Sequence, residues 1–257
     1  MARSFRVLAT TDRGLARDGN EDAGLVTPRL IAIADGMGGH AAGEVASKIA
    51  ITSLAALGLV LDDAAIDHES REDLLLNICF SIDQEIVNHA SENPALNGMG
   101  TTLTALHLTE QTIELLHVGD SRAYRWDGKR IKQISVDHTV MQELIDQGRL
   151  TQEEVHGHPQ RSLLTQALMG DFGIDPVLVE LRADIGEKFL LCSDGLSSVL
   201  SNHEIEETIK NSKESELLAA LISATKAKGA PDNITIIWAE IVAEDSTVTE
   251  LLGAANE

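Results

Sequence analysis

The sequence contains few aromatic residues, few basic residues and little cysteine. Aromatic side chains make up 3% of the 257 residues, so a hydrophobic core has to be built from Leu, Ile, Val and Ala. Acidic residues outnumber basic residues by 41 to 20, which gives a formal net charge of −21 at pH 7. Nucleic acids and anionic membranes attract proteins through Lys and Arg, so this balance argues against either as the main partner.

The two cysteines, Cys79 and Cys192, are far apart and lack the spacing of metal-binding motifs. Cys192 lies in the apolar run FLLCS, where a buried free thiol is expected. This usage predicts a reducing, cytoplasmic location. The amino-terminal sequence MARSFRVLATTD does not resemble a signal peptide, and the longest uncharged stretch, residues 49–61, is too short to span a bilayer. We therefore expect a soluble protein.

The apolar run at residues 30–34 predicts a buried strand that ends at Asp35 and Gly36, within LIAIADGMGGHAAGEVAS. The glycines that follow predict a turn, and the alanine-rich segment after them predicts a helix. A carboxylate at the end of a buried strand lies at the mouth of the sheet. The alternative is an ordinary turn, which is how we interpret Asp127-Gly128, between two short β-rich segments.

Predicted helices and strands are interleaved without the regular alternation that produces a parallel sheet. The alanine-rich segment predicts a helix over residues 41–57, and the four-residue spacing of apolar residues predicts another over residues 71–90. Short β-rich segments between residues 101 and 134 predict an antiparallel meander. The sequence shows no internal repeat and no obvious linker, so it predicts a single α+β domain over residues 1–257.

Four aspartates lie at the edges of predicted buried strands: Asp35, Asp120 and Asp194 follow such runs, and Asp232 precedes one. Carboxylates that crowd together away from water repel one another and require a counter-charge. Mg²⁺ or Mn²⁺ would suit an all-oxygen site, whereas zinc would favour His or Cys. The alternative is four independent turn residues, and the recurrence of this context favours a shared metal site.

A series of motifs lies between Thr10 and about Ile237. In chain order they are TDRGLARDGNEDAG, IADGMGGHAAGEVAS, GMGTTLTAL, LLHVGDSRAYRW, VDHTVMQELIDQG with HPQRSLLTQAL, LLCSDGLSSVLS and APDNITII. Together, and in this order, these motifs resemble the bacterial metal-dependent protein phosphatases of the 2C type, the PPM family. The resemblance implies a central antiparallel β-sandwich flanked by α-helices in four αββα layers. It also implies a metal centre at one end of the sandwich and a flap at about residues 137–170.

The resemblance implies a metal-binding role for each of several residues. Asp35 matches the aspartate that bridges two metal ions, and Gly36 matches the residue whose backbone carbonyl binds one of them. Asp194 and Asp232 match the other carboxylate ligands of the first metal. Asp22 matches an acidic residue that supports the second metal, largely through water. These assignments give Asp35 a catalytic role, because it would hold both metals.

Two further roles follow from the same resemblance. Asp120 matches the residue that, together with Asp194, holds a third and weaker metal in bacterial members. Arg17 matches the arginine that binds the substrate phosphate and so takes part in catalysis. A guanidinium can make two parallel charge-assisted hydrogen bonds to phosphate, which suits this role. Without the resemblance, Arg17 would be interpreted as a surface arginine on a polar loop.

The resemblance does not assign the general acid. Some family members carry a histidine directly after the Asp-Gly pair, but this sequence has Met37 there and His40 three residues later. His138, His156 and His158 are also near the expected site or flap, and each has a purely structural alternative. Geometry has to precede pKa in the choice of an acid, so the role stays open.

The implied function is a protein serine/threonine phosphatase that uses Mn²⁺ or Mg²⁺, with two metals and a weaker third. A metal-activated water would attack phosphoserine or phosphothreonine directly. We expect a cytoplasmic monomer whose substrates are phosphoproteins of a serine/threonine kinase. One alternative is an inactive binding protein, which would usually have lost Asp35, Asp194 or Asp232. Another is a hydrolase of small phosphate esters, for which the flap is larger than needed.

Overall fold

Two β-sheets and a set of α-helices form the protein, in a computed structural model that describes residues 3–38, 42–63, 65–151, 154, 163–170 and 173–256. The helices are α1 Ala42–Leu61, α2 His68–Glu92, α3 Val140–Asp146, α4 Asp194–Ser197, α5 Asn202–Asn211 and α6 Leu217–Ala227, with 3₁₀ turns at Pro94–Leu96, Glu214–Glu216 and Ala254–Asn256. The strands are β1 Ser4–Asp12, β2 Asp22–Val26, β3 Leu30–Met37, β4 Gly100–Thr101, β5 Leu103–Leu108, β6 Thr112–Val118, β7 Arg122–Trp126, β8 Ile131–Gln133, β9 Val177–Arg182, β10 Lys188–Cys192, β11 Ile234–Val242 and β12 Glu250–Gly253.

The two sheets are antiparallel. The five-stranded sheet has the order β1-β11-β10-β7-β8, and the seven-stranded sheet has the order β12-β2-β3-β5-β6-β9, with β4 paired to β3. Helices α1 and α2 cover the outer face of the larger sheet, and α5 and α6 cover the outer face of the smaller one. A third core lies between the sheets. The expected α+β fold, a four-layer αββα sandwich, is therefore confirmed.

Strand β3 shows how the apolar run produces this layering. Leu30 and Ala32 point into the core beneath the helices, whereas Ile31 and Ile33 point into the core between the sheets. Because alternate side chains of a strand point to opposite faces, a strand buried on both sides must be apolar at every position. The continuous run at residues 30–34 meets that requirement.

Strand β3 continues to Met37, one residue beyond the predicted end at Asp35 and Gly36. Gly36 and Met37 pair with Thr101 and Gly100 of β4. Gly36 is required for a close approach between elements: a Cβ added there would lie 2.1 Å from the backbone oxygen of Gly43 in α1. The glycine brings the start of α1 against the strand that carries Asp35.

Helix α1 is longer than the uncharged stretch that sequence inspection isolates. It runs for 20 residues across Glu44 and Lys48, and by length and composition alone it would also fit a membrane-spanning helix. Eleven of its residues are buried, and it packs against β2, β3 and α2. A helix in a protein core has the same composition, and the absence of a membrane partner stays a prediction.

The expected meander over residues 101–134 is only partly correct. Strands β5 and β6 pair within the larger sheet, but β7 and β8 form a hairpin in the smaller one. The Asp127-Gly128 turn of that hairpin is confirmed, since Asp127 Oδ1 accepts hydrogen bonds from the backbone N–H groups of Lys129 at 2.8 Å and Arg130 at 2.7 Å. The chain therefore changes sheets directly after the segment that contains Asp120.

Candidate metal centre and phosphate site

Most of the predicted site residues line one cleft of about 250 Å³. The elements that meet there are β3, the loop between β6 and β7, the start of α4, and the residues before β11. These segments are far apart in the sequence, so the fold brings together what spacing alone could not. The predicted residues in the lining are Arg17, Asp35, Gly36, Asp120, Asp194 and Asp232.

The backbone of Asp35 is fixed by two threonines where β4 gives way to β5. The backbone carbonyl oxygen of Asp35 accepts a hydrogen bond from the Thr102 N–H at 2.9 Å and another from the Thr101 hydroxyl at 3.0 Å. The Asp35 N–H donates to Thr102 Oγ1 at 3.0 Å. Thr102 Oγ1 also forms a 2.7 Å hydrogen bond with Ser121 Oγ, and Ser121 directly follows Asp120. The two hydroxyl groups therefore link the segments that carry Asp35 and Asp120.

Asp194 and Asp232 lie close together because the backbone at Gly195 packs directly against the backbone at Asn233. Asp194 is the first residue of α4, and a Cβ added to Gly195 would lie 1.8 Å from the backbone oxygen of Asn233. Asn233 also holds the loop that carries Arg17: its Nδ2 donates to the Gly19 oxygen at 2.9 Å. This junction therefore positions two carboxylates and an arginine.

Asp22 lies beneath the cleft. It is 1% exposed and pairs in register with Asp35 across β2 and β3. Ser193 Oγ donates to Asp22 Oδ2 at 2.7 Å, and the Thr235 N–H donates to Ser193 Oγ at 3.0 Å. The neighbouring Glu21 lines the cleft. The metal-supporting role of Asp22 stays a prediction. Asp22 does not itself line the cleft, so it would have to support a metal from the buried side of the ligands.

Burial and mutual repulsion raise the pKa of each deep carboxyl group. Burial is the main cause for Asp35, whose pKa lies well above its ordinary value, and Asp22 and Asp194 add to the shift. Burial and then Asp194 raise the pKa of Asp120 to about 8. The pKa of Asp22 rises to about 7, mainly through burial. For Asp194, burial and then Asp232 raise the pKa to about 6.

These shifts test whether a metal would fit. Carboxyl groups whose pKa is raised by burial and by one another indicate more buried negative charge than the surrounding protein compensates. The donors in the cleft are carboxylate and backbone oxygens, which Mg²⁺ and Mn²⁺ bind well. Asp35, Gly36, Asp120, Asp194 and Asp232 therefore fit divalent cations.

Arg17 lies at the edge of the cleft. Its Nη2 donates to Asp232 Oδ2 at 2.6 Å, and its Nη1 lies 3.6 Å from Glu21 Oε2. The side chain is 46% exposed, so the guanidinium is accessible to a ligand that enters from solvent. Its predicted contact with phosphate requires this accessibility.

A more compact group of possible ligands lies elsewhere among the described residues. Ligand atoms of His68, Glu114 and Glu180 all lie within 4.8 Å of one another. However, Glu114 already accepts hydrogen bonds from Arg71 Nε at 3.0 Å and from His107 Nδ1 at 2.8 Å. A cationic guanidinium on the central carboxylate disfavours a metal, so this group is interpreted as an ion-pair network.

Comparison with known proteins agrees with the geometry of the cleft. The sequence model of the family described as Protein phosphatase 2C matches residues 19–234, most of the chain. The chain belongs to the protein phosphatase 2C family.

Two similar proteins and one crystal structure illustrate the protein phosphatase 2C relationship. The serine/threonine protein phosphatase PstP of Mycobacterium tuberculosis is 41% identical over 98% of this chain, which spans about half (48%) of that protein. The serine/threonine phosphatase stp of Listeria monocytogenes is 34% identical over 90% of this chain and 93% of its own length. A crystal structure of the PstP catalytic domain in complex with two manganese ions superposes with a TM-score of 0.82 at 39% identity, covering 94% of this chain and 100% of that one.

The histidines that could act as a general acid in a protein phosphatase 2C are only partly described. His40, His156 and His158 lie outside the described residues. His138 accepts a hydrogen bond from the Gly119 N–H on Nδ1 at 3.1 Å, and its ring centroid lies 4.9 Å from that of His117. Burial lowers the pKa of His138. These contacts give His138 a structural place, and the acid stays unassigned.

Sequence inspection missed the residues that hold the ligands in place. Thr102, Ser193 and Asn233 are each at most 3% exposed and connect the segments of the cleft through hydrogen bonds. A signal was present, because each lies next to a predicted strand edge or site aspartate. Their partners are distant in sequence, so only the fold reveals the contacts.

Proposed function

We propose that this chain is a metal-dependent protein serine/threonine phosphatase. The observation that carries the proposal is the shared cleft, in which Asp35, Asp120, Asp194 and Asp232 lie beside Arg17. The raised pKa values of Asp35, Asp120 and Asp194 indicate a need for positive charge there. The manganese ions in the related PstP catalytic domain support the same interpretation.

The aspartates would hold Mn²⁺ or Mg²⁺ and fix the place of the reaction. Asp35, the Gly36 carbonyl, Asp194 and Asp232 would hold two ions, and Asp120 and Asp194 would hold a weaker third ion. When bound, such ions lower the pKa of a water and stabilise charge on the phosphoryl group. The threonine and serine hydrogen bonds to Asp35 keep its backbone from shifting.

Arg17 would orient the phosphate. Its present contact with Asp232 uses a carboxylate that a cation would also bind. If Asp232 served as a metal ligand, the Arg17 guanidinium would be free to donate two hydrogen bonds to phosphate oxygens. Arg17 would thus orient the phosphoryl group for direct attack by water. No covalent intermediate with the protein would form.

Phosphoproteins of a serine/threonine kinase are the proposed substrates. The related proteins named as serine/threonine phosphatases support this class. We further propose that the chain acts as one catalytic domain over residues 1–257, as a cytoplasmic monomer. In this proposal residues 137–170 form a flap beside the cleft; residues 152–153 and 155–162 lie outside the described residues. Two buried free cysteines support a reducing location.

Hydrolysis of a phosphothreonine peptide with and without Mn²⁺ tests the proposal. Turnover should require Mn²⁺ and should fall by roughly 100-fold or more in Asp194→Asn, since even outer partners of a metal site typically contribute 10- to 100-fold. Asp127→Asn changes an exposed aspartate in the hairpin turn and should keep full activity. Metal-independent turnover, or full activity of Asp194→Asn, would contradict the proposal. An inactive, well-folded wild type would favour the binding-protein alternative.

A further inference from the structure

A second, apolar cavity of about 170 Å³ lies beside the cleft. Its walls include the half-buried side chains of Met37, Leu164, Met169 and Ile174, together with the buried Ala167. The reaction described above gives these side chains no task. Apolar surface around an open, water-accessible space is unfavourable unless something covers it, so the cavity is suited to an apolar ligand group.

Two polar groups of the lining residues have partners within the protein. Gln166 Oε1 accepts a hydrogen bond from the Asp175 N–H at 2.8 Å. The backbone N–H of Thr165 donates to the His138 oxygen at 2.9 Å. With these two groups engaged, the large apolar side chains of the lining remain free to make hydrophobic contact with a ligand.

The wall of the cavity is held in place from two sides. Leu168 exchanges two backbone hydrogen bonds with Thr101 of β4, each 2.9 Å long. The Oδ1 atom of Asp83 in α2 accepts from the N–H groups of Met169 at 2.9 Å and Gly170 at 2.7 Å. A preformed wall binds a ligand without first having to order itself.

The cavity adjoins the cleft that holds the predicted metal ligands. Met37 and Leu164 line both spaces. An extended peptide advances about 3.3–3.6 Å per residue, so a phosphorylated side chain in the cleft brings its nearest neighbours to the cavity. A volume of about 170 Å³ corresponds to roughly five or six waters, and their displacement by an apolar group favours binding.

We propose that this cavity is a substrate subsite for an aliphatic side chain one or two positions from the phosphorylated residue. The inference rests on the proposed phosphatase function and narrows its substrate class to phosphopeptides with leucine, isoleucine or methionine beside the phosphorylated residue. Met169 and Ile174 would determine specificity, because they line the cavity and do not line the metal cleft.

Peptide series with matched variants test the subsite. Phosphothreonine peptides would differ in a single residue, which is leucine, alanine or aspartate, at each position within two residues of the phosphothreonine. At one position, leucine should exceed alanine by about 10-fold in kcat/KM. In Ile174→Ala and Met169→Ala that ratio should fall towards one. Leu163→Ala changes a neighbouring side chain that is 48% exposed and does not line the cavity, so the ratio should stay unchanged.

The outcomes separate the subsite from the phosphatase function. Equal kcat/KM for the leucine and alanine peptides at every position would overturn the subsite and leave the phosphatase proposal intact. A leucine preference that persists in both cavity variants, with unchanged melting temperatures, would also overturn it. If no peptide is hydrolysed, the proposed function fails. The Kd of the same peptides from calorimetry then decides the subsite, which requires the leucine peptide to bind about 10-fold more tightly than the alanine peptide.

Discussion

The pairs Asp35-Gly36 and Asp127-Gly128 share a dipeptide but have opposite surroundings. Asp35 lies inside β3 at the bottom of a cleft, and burial raises its pKa. Asp127 lies in an exposed turn, where hydrogen bonds from the Arg130 and Lys129 N–H groups lower its pKa. The dipeptide therefore has no fixed function: neighbouring carboxylates make the first pair a candidate site, and the flanking strands make the second a turn.

The two glycines differ in the same way, and their substitution should give the largest effect. An alanine Cβ at position 36 would lie 2.1 Å from the Gly43 oxygen, whereas position 128 has no atom within 4 Å but a φ of +89°. Gly36→Ala should lower the free energy of unfolding by about 3 kcal/mol and abolish turnover. Gly128→Ala should cost about 1–2 kcal/mol and keep activity. Urea unfolding and peptide hydrolysis measure both; equal losses would remove the contrast.

Substitution of an arginine near each Asp-Gly pair should also have different effects on KM. Arg17→Ala should raise KM for a phosphopeptide by about 10- to 100-fold, because a hydrogen bond to a charged group contributes about 1.5–3 kcal/mol. Arg130 is exposed beside the hairpin turn, and Arg130→Ala should leave KM unchanged. Steady-state kinetics on one peptide decides the matter. An unchanged KM in Arg17→Ala would exclude Arg17 from the phosphate site.

The opposite pKa shifts predict opposite pH dependences of stability. Asp194, Asp22 and Asp120 have pKa values of about 6, 7 and 8 in the folded chain, against an ordinary value of 3.8. Between the ordinary pKa and these raised values, the folded state binds more protons than the unfolded state. The free energy of unfolding should therefore fall as the pH rises from about 4 to about 8. Thermal unfolding in EDTA should show this fall, Asp120→Asn should weaken it, and Mn²⁺ should remove it.

The control for this effect is again the hairpin. The lowered pKa of Asp127 favours the folded state above the ordinary pKa, and that contribution is lost as pH falls. Asp127→Asn should therefore leave the loss of stability between about pH 6 and pH 8 unchanged. A melting temperature that is flat over this range in EDTA would contradict the raised values in the cleft.

Charge near the cleft should give the smallest effect. Asp18, Glu21 and Glu44 line a groove of about 540 Å³ that shares Arg17 with the cleft. At low salt, a phosphopeptide with basic flanking residues should be hydrolysed a few-fold faster than one with acidic flanks, and Glu44→Gln should reduce the difference. Screening over about 8 Å at physiological ionic strength should weaken it further. Equal rates at low salt would refute the expectation.

Local patterns predicted much of the fold. The apolar run before Asp194 forms the strand Lys188–Cys192, as its local pattern indicates, because the run is short, apolar and bounded by charged residues. Helix α1 exceeds its predicted end because Gly58 is buried against Leu30 and does not stop the helix. Strand β12 was not predicted, because residues 250–253 become a strand through pairing with β2. Such pairing depends on residues distant in the chain.

The same distinction between local patterns and distant contacts applies to the candidate site. Asp35, Asp120, Asp194 and Asp232 could be predicted because each lies beside an apolar run. The position of Asp22 below the cleft could not, since it depends on the register of β2 with β3 and on Ser193. The apolar cavity was not foreseen either, because its lining comes from β3 and from residues that follow α3.

The surroundings of the two Asp-Gly pairs predict that the first pair, and not the second, belongs to a metal site. Calorimetric titration of Mn²⁺ into metal-free wild type, Asp35→Asn and Asp127→Asn tests this claim. We expect at least two Mn²⁺ ions per chain in wild type and Asp127→Asn, as in the related PstP catalytic domain. Asp35→Asn should lose this binding while it melts at or above the metal-free wild-type temperature. Equal Mn²⁺ binding by all three proteins would contradict the claim.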